Sequence, residues 1–247
     1  MIIIKSQEDI ERMRVSNGIA GRVRDEVAAK VRPGVTTWEL GEYALELIEK
    51  AGGKSGFLGY HGFPGQICVS VNEEVVHGIP GNRQIEIGDI VSLDVGVLID
   101  GFYGDTATTV MVGVTDPDVV RLVRTTERAL LTGLEKVKVG ARLSDVSHAI
   151  QVEAEQAGFS VVRDFVGHGI GRDLHEDPQI PNFGRAGRGP KLRAGMTLAI
   201  EPMVNMGRAG VKVLDDNWTV VTKDRKMSAH FEHTVLVRND GVEILTK

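Results

Sequence analysis

Five side chains able to bind metal stand out in this chain, several of them in segments crowded with apolar residues or glycine. They are Asp94 in VSLDVGV, Asp105 in GFYGDTATTV, His168 in FVGHGIG, Glu201 in TLAIEPMV and Glu232 in AHFEHTVLV. Charged side chains are rarely buried unless they are paired or hold a metal. Four carboxylates brought together repel one another, so a positive partner must sit among them if they meet in space. Two divalent cations balance four carboxylates, and hydrolysis is the chemistry such a pair supports. The single imidazole adds the nitrogen that suits an oxygen-rich site to Mn, Fe, Co or Zn.

Asp94 and Asp105 are positioned by a predicted hairpin. Asp100-Gly101 lies between them and is a strong two-residue turn signal. Pairing about that turn sets Gly96 opposite Asp105 and Asp94 opposite Ala107. Side chains alternate across a strand, so the two aspartates fall diagonally on one face, with space left at Gly96. A polar face turned to water explains this hairpin alone. Glu201 and Glu232 weaken that explanation, because both lie in interior-strand compositions where an unpaired glutamate is costly. The glycines around His168 resemble a phosphate loop only superficially. Neither a dinucleotide-type β-α-β unit nor a following Lys-Ser/Thr is present, and they read better as room for close approach to a histidine.

The surrounding elements repeat. A constant offset aligns Val31, Gly34, Glu49, Ala51 and Gly52 with Val137, Gly140, Glu155, Ala157 and Gly158. Thr36 and Glu39 form a capping-box pattern ahead of an apolar stripe of Leu40, Tyr43, Ala44, Leu47, Ile48 and Ala51. Ser144 is the expected N-cap of the matching helix, with Gly158 as its stop. Preceding helices are expected from about Gln7 to Val31 and from Pro117 to about Val137. Strand-like segments follow each pair: Gln66–Val71, Ile90–Val97 and Tyr103–Val112, then Thr197–Met206, Trp218–Thr222 and His230–Arg238. The expectation is an α+β fold with two α-α-β halves, roughly 1–112 and 113–247, whose helices pack on a mostly antiparallel sheet in a single domain.

Composition narrows the function classes. With 247 residues, 42% hydrophobic and 26% charged, the chain has the make-up of a globular protein with a substantial core. A net charge of -5 does not suggest a broad nucleic-acid surface. Cys68 is the only cysteine, which rules out an intramolecular disulfide and a Cys-rich zinc module. The start, MIIIKSQEDI, is too short in apolar residues for a signal-peptide core, and no stretch is long enough to span a bilayer. A cytoplasmic protein is expected.

The segments CVSVNEEVVHGIP, GDIVSLDVGVLIDGFYGDTA, VGHGIGRDLHEDPQIPNFG, LRAGMTLAIEPMV and HFEHTVLV, in that order and spacing, resemble methionine aminopeptidases of type I over essentially the whole chain. The resemblance implies the pita-bread fold, with halves related by a pseudo-twofold axis. It implies removal of the initiator methionine from nascent chains and peptides whose second residue is small. By the same resemblance, two divalent ions are held by Asp94 on one, by Asp105 and Glu232 bridging both, and by His168 and Glu201 on the other. A water bridging the ions would attack the first peptide bond, with Glu201 moving its proton. His77 would contact substrate near the scissile amide, and His175 would donate to the carbonyl oxygen.

Phe57, Tyr60, Phe63, Cys68, Leu174, Met203 and Trp218 match the pocket for the methionine side chain, where aromatic and sulfur groups pack well on a thioether. Cys68 then reads as a pocket wall. His61, His148, His230 and His233 read as structural, with His61 beside the pocket. Gly96 and Leu174 depart from the threonine and phenylalanine frequent in relatives, which bears on the pocket and leaves the metal ligands alone. The chain reads as starting at the catalytic domain, without a zinc-binding extension. The interval from His175 to Glu201 leaves no room for a type II insertion. The implied partners are peptide N-termini beginning with methionine, with transient ribosome association, for a monomer needing neither nucleic acid nor membrane.

Two other readings share the scaffold. An X-Pro aminopeptidase or dipeptidase usually carries a large N-terminal domain that this chain lacks. A non-catalytic binding module would have lost ligands that are all present here.

Overall fold

The structure is a computed structural model that describes residues 1–247. Helices α1 (Gln7–Ala28) and α2 (Thr37–Lys50) precede β1 (Lys54–Ser55), β2 (Cys68–Val71), β3 (Glu74–Val76), β4 (Ile90–Ile99) and β5 (Phe102–Met111). Helices α3 (Pro117–Leu134) and α4 (Leu143–Gln156) then precede β6 (Ser160–Val161), β7 (Gly167–Gly169), β8 (Glu176–Ile180), β9 (Thr197–Ile200) and β10 (Met203–Asn205). The chain closes with β11 (Val211–Val213), β12 (Val220–Thr222), β13 (Ser228–His230), β14 (Glu232–Arg238) and β15 (Gly241–Ile244).

Local signals account for most helix ends. Ser6 with Asp9 and Thr36 with Glu39 form reciprocal capping boxes at α1 and α2. Asp116 caps α3, and Pro117 takes the first helical position, where its missing N–H costs nothing. Both α1 and α3 stop about a turn earlier than expected. Val31 N–H donates to Ala28 and Val137 N–H to Leu134, so each end tightens into three-residue bonds instead of continuing the helix. α4 corrects the Ser144 expectation. Its cap is Arg142, whose backbone N–H donates to Asp145, while the Ser144 hydroxyl donates to the Arg188 carbonyl in a neighbouring loop.

A nine-stranded antiparallel sheet runs β1-β4-β5-β14-β9-β7-β8, with β2 added on β4 and β15 on β14. Two three-stranded sheets, β13-β10-β6 and β11-β12-β3, complete the structure. Helices cover the large sheet. Ile19, Val23, Leu40, Ala44 and Ile48 pack against Val91, Leu93, Val95 and Val97 of β4. Val119, Leu122, Leu130, Val146 and Ile150 pack with Leu198, Ile200, Val235 and Val237. Each such fully buried aliphatic side chain contributes up to about 1.5–3 kcal/mol. Because side chains alternate, burying those odd-numbered residues turns Ser92, Asp94 and Gly96 to the opposite face. Gly104 brings the other strand of the hairpin against α1: a Cβ there would lie 2.7 Å from the Asn17 backbone.

Two expected strands are each broken in two. The segment Thr197–Met206 divides around Glu201-Pro202, and His230–Arg238 divides at Phe231 while gaining Ser228 and Ala229. Pro202 lacks the N–H that a continuous ladder needs. The register nevertheless survives the bend, since His233 pairs with Ile200 on one side and His230 with Met203 on the other. The two strands therefore bend as one ribbon out of the large sheet and into a small one. Glu201 and Glu232 face each other at the bend.

Candidate metal centre

The sheet register assembles the carboxylates. Asp94 of β4 and Glu232 of β14 both pair with Ala107 of β5, so the three lie in one row across three strands. Asp105 lies two residues along β5, opposite Gly96, on the same face. Glu201 stands one step past the His233–Ile200 pair. β7 sets His168 opposite Ala199, diagonal to Glu201. Ala107 at the middle of the row keeps the floor low between carboxylates.

The resulting distances crowd like charges together. His168 Nε2 is 3.5 Å from Glu201 Oε1 and 3.8 Å from Asp105 Oδ2. Donor atoms of Asp105, His168 and Glu232 lie within 4.8 Å of one another. Asp94 Oδ1, Asp105 Oδ1 and Glu232 Oε1 are buried without any hydrogen-bond partner. Unpaired buried carboxylate oxygens are expensive and need an explanation, and a coordinated cation supplies it. His168 Nδ1 faces the Gly169 carbonyl at 2.9 Å. A carbonyl can only accept, so Nδ1 carries the proton and Nε2 keeps its lone pair toward the carboxylates, the state a metal ligand requires. Backbone contacts hold the cluster from behind: Thr234 Oγ1 donates to the Asp105 carbonyl, Thr106 Oγ1 to that of Glu232 and Asn182 Nδ2 to that of Glu201. The donor set fits divalent metal.

Electrostatics agrees. Burial pushes Asp94 up to about 7. Burial, then neighbouring carboxylates, holds Asp105, Glu201 and Glu232 well above the usual carboxylate range. Burial drives His168 and His230 down to about 3, and His77 and His233 to about 4. In protein stripped of metal, the folded carboxyls bind protons more tightly than unfolded ones. Their stabilisation is complete below the unfolded carboxylate range and is lost as pH rises through the folded values. The histidines act oppositely: their stabilisation is present above the unfolded value near 6.5 and is lost as pH falls. Above about pH 6.5 the histidine contribution fades as the unfolded imidazoles lose their protons, and the carboxyl contribution dominates. Thermal melts of stripped protein should therefore show Tm falling from about pH 6.5 to about 8.5, and added divalent cation should remove the fall. A flat or rising Tm in the stripped protein would refute the account.

The carboxylates floor a cavity of about 280 Å³. Its walls include Phe57, Tyr60, Phe63, Cys68, His77, Leu174, His175 and Trp218, together with all five residues singled out above. Phe63 stacks edge-on against Trp218 with ring centroids 5.1 Å apart, and the ring of His77 meets Phe165 at 5.5 Å. Tyr60 Oη is 2.7 Å from His175 Nδ1, and the His175 ring lies 4.3 Å from that of His168. His77 adopts φ 60, a left-handed conformation uncommon outside glycine. Burial, then the nearby carboxylates, pushes the Cys68 thiol up and keeps it protonated.

Three sequence expectations change here. Met203 does not line the cavity; it is buried behind it with Val75, Val76, Val162 and Val220. The space expected over Gly96 is filled by the Phe57 ring, since a Cβ at Gly96 would fall 2.7 Å from Phe57 Cδ1. His230, read as structural from the sequence, lies closer to the cluster than expected, its buried Nε2 unpartnered and 3.8 Å from Glu201 Oε2. The sequence reading also missed Val76, Phe165 and Val166 in the cavity wall and left His61 only beside it. Adjacency to Gly167-His168 was the one available signal for Phe165 and Val166.

The family model described as metallopeptidase family M24 matches residues 11–239. A methionine aminopeptidase of Clostridium perfringens is 54% identical over 246 residues, covering 100% of this chain and 99% of that protein. The crystal structure of methionine aminopeptidase from Thermotoga maritima matches with a TM-score of 0.99 at 50% identity, covering 100% of both chains. Prolidase from Pyrococcus furiosus shares the fold, with a TM-score of 0.82 at 22% identity, covering 99% of this chain and 65% of that one.

Proposed function

The chain belongs to metallopeptidase family M24, and from that premise we propose that it acts as a methionine aminopeptidase on nascent proteins and peptides whose second residue is small. The observation that carries this reading is the row of unpartnered carboxylates at the floor of a side-chain-sized apolar cavity. The fold is the α+β pita-bread arrangement shared with the aminopeptidase and prolidase structures. In this reading residues 1–247 form one catalytic domain of two duplicated halves, 1–112 and 113–247, supported by the α-α-β order in each.

Two divalent ions are held in this reading. Asp94, Asp105, His168, Glu201 and Glu232 would hold them. When bound, such ions lower the pKa of water and polarise a peptide carbonyl. Glu201, at the cavity floor beside the other carboxylates, is the group placed to pass a proton to the departing amine. Burial raises the Tyr60 phenol, which stays protonated, and in this reading it donates to His175 Nδ1, 2.7 Å away. That leaves the His175 proton on Nε2, the state needed to donate to a carbonyl oxygen gaining negative charge. His77 borders the substrate, while Phe57, Tyr60, Phe63, Cys68, Leu174 and Trp218 enclose the methionine side chain.

Substrates are peptide N-termini beginning with methionine, met by a monomer in transient contact with the ribosome. No helix is long and apolar enough to cross a membrane. The single buried cysteine suits a reducing, cytoplasmic setting. The test is release of methionine from Met-Ala-Ser by metal-stripped protein reconstituted with Co(II), Mn(II), Fe(II) or Zn(II), followed by Met-X peptides of graded second-residue size. No release with any of the metals, or faster cleavage of an X-Pro peptide, would reject the reading.

A further inference from the structure

The loop that carries His175 is tied at three points to the N-terminal arm and the first turn of α1. The Met1 amino group pairs with Asp177, the Arg172 guanidinium is 3.0 Å from Asp9, and Lys5 Nζ is 2.5 Å from Glu176 Oε2. The first two pairs include exposed groups and hold weakly in water. The third is different in kind. Its side chains are 3% and 5% exposed, so neither charge has water to fall back on. Glu176 uses its other oxygen to accept the Arg172 N–H at 2.9 Å. Gly171 admits the pair: a Cβ there would lie 2.5 Å from Glu176 Oε1 and 2.8 Å from Lys5 Nζ. The arm itself is anchored by the Lys5 N–H on the Gly195 carbonyl at 2.8 Å, and Gly195 in turn donates to Val237 of β14.

The chain of contacts thus runs from β14, which begins with Glu232, through the arm to Glu176, the residue after His175. We infer that Lys5 is a positioning residue for peptide-bond cleavage, clamping Glu176 so that His175 is held toward the carboxylate floor. This rests on the aminopeptidase reading of the site. The arm lies outside the cavity wall, so Lys5 acts only through the loop. Displacement of a donor by about 1 Å costs up to about 100-fold in rate.

The experiment compares wild type, Lys5→Met, His175→Ala and the combined variant on Met-Ala-Ser at saturating metal. Lys5→Met should lower kcat roughly 10- to 100-fold with KM changed less than about twofold. In the His175→Ala background the same change should alter kcat by less than about twofold, because its route to the reaction is gone. Equal losses in both backgrounds, or no loss of kcat, would overturn the inference. Because Lys5→Met leaves Glu176 buried without a partner, Lys5→Met/Glu176→Met is the companion variant. It carries no uncompensated charge and should show the same loss of kcat; wild-type kcat in it would equally overturn the inference. Amide exchange in residues 171–177, faster in Lys5→Met than in wild type, gives a readout that stands even if the protein proves inactive on Met-Ala-Ser. Unchanged exchange there would reject the clamp independently of the proposed function.

Discussion

Glu232→Gln is expected to lower kcat/KM for methionine release by roughly three to four orders of magnitude. Glu232 is 2% exposed, opposite Ala107 in the row with Asp94, and its Oε1 has no other partner. The amide keeps the size but replaces one anionic oxygen with a donor aimed into the carboxylate cluster. Metal catalysis is worth several kcal/mol of transition-state stabilisation, and each 1.36 kcal/mol is a tenfold change in rate. The same substitution removes a negative charge from a crowded cluster, so the metal-stripped variant should melt higher than stripped wild type. Added metal should stabilise it less. Kinetics, metal analysis and thermal melts on one preparation check all three outcomes. Activity within tenfold of wild type at unchanged metal content would remove Glu232 from the site.

His175→Ala is the second large effect, expected to reduce kcat by about 100- to 1,000-fold with KM little changed, the usual cost of one well-aimed donor to a developing oxyanion. Tyr60→Phe should give a smaller loss of the same kind, since it leaves the imidazole but frees Nδ1 to take the other tautomer. A His175 variant that raised KM while sparing kcat would place this histidine in ground-state binding.

Short-range signals were legible in the chain. The Asp100-Gly101 turn predicts the hairpin register, and the structure pairs Gly96 with Asp105 and Asp94 with Ala107 as expected. The Thr36–Glu39 box and Pro117 mark real helix starts. These depend on backbone geometry over a few residues. Ser144 shows the limit, because its hydroxyl found a better partner in Arg188 than in its own helix. Met203 and Trp218 are both apolar and both match the family's side-chain pocket, yet one is buried behind the cavity and the other lines it. Only packing separates them.

The residue types and their alternation along strands determined that carboxylates would share a face, and the order of motifs indicated which family they serve. Tertiary structure decided how closely they meet. The bend at Glu201-Pro202 and Phe231 carries one ribbon from the large sheet into a small one and leaves Glu201 facing Glu232. Phe57 takes the volume above Gly96, and Lys5 reaches Glu176 across most of the chain. The reason is physical: turns and caps are set by neighbours in sequence. Burial, like-charge repulsion and the need to partner a buried charge depend on which distant segments the sheet brings into contact.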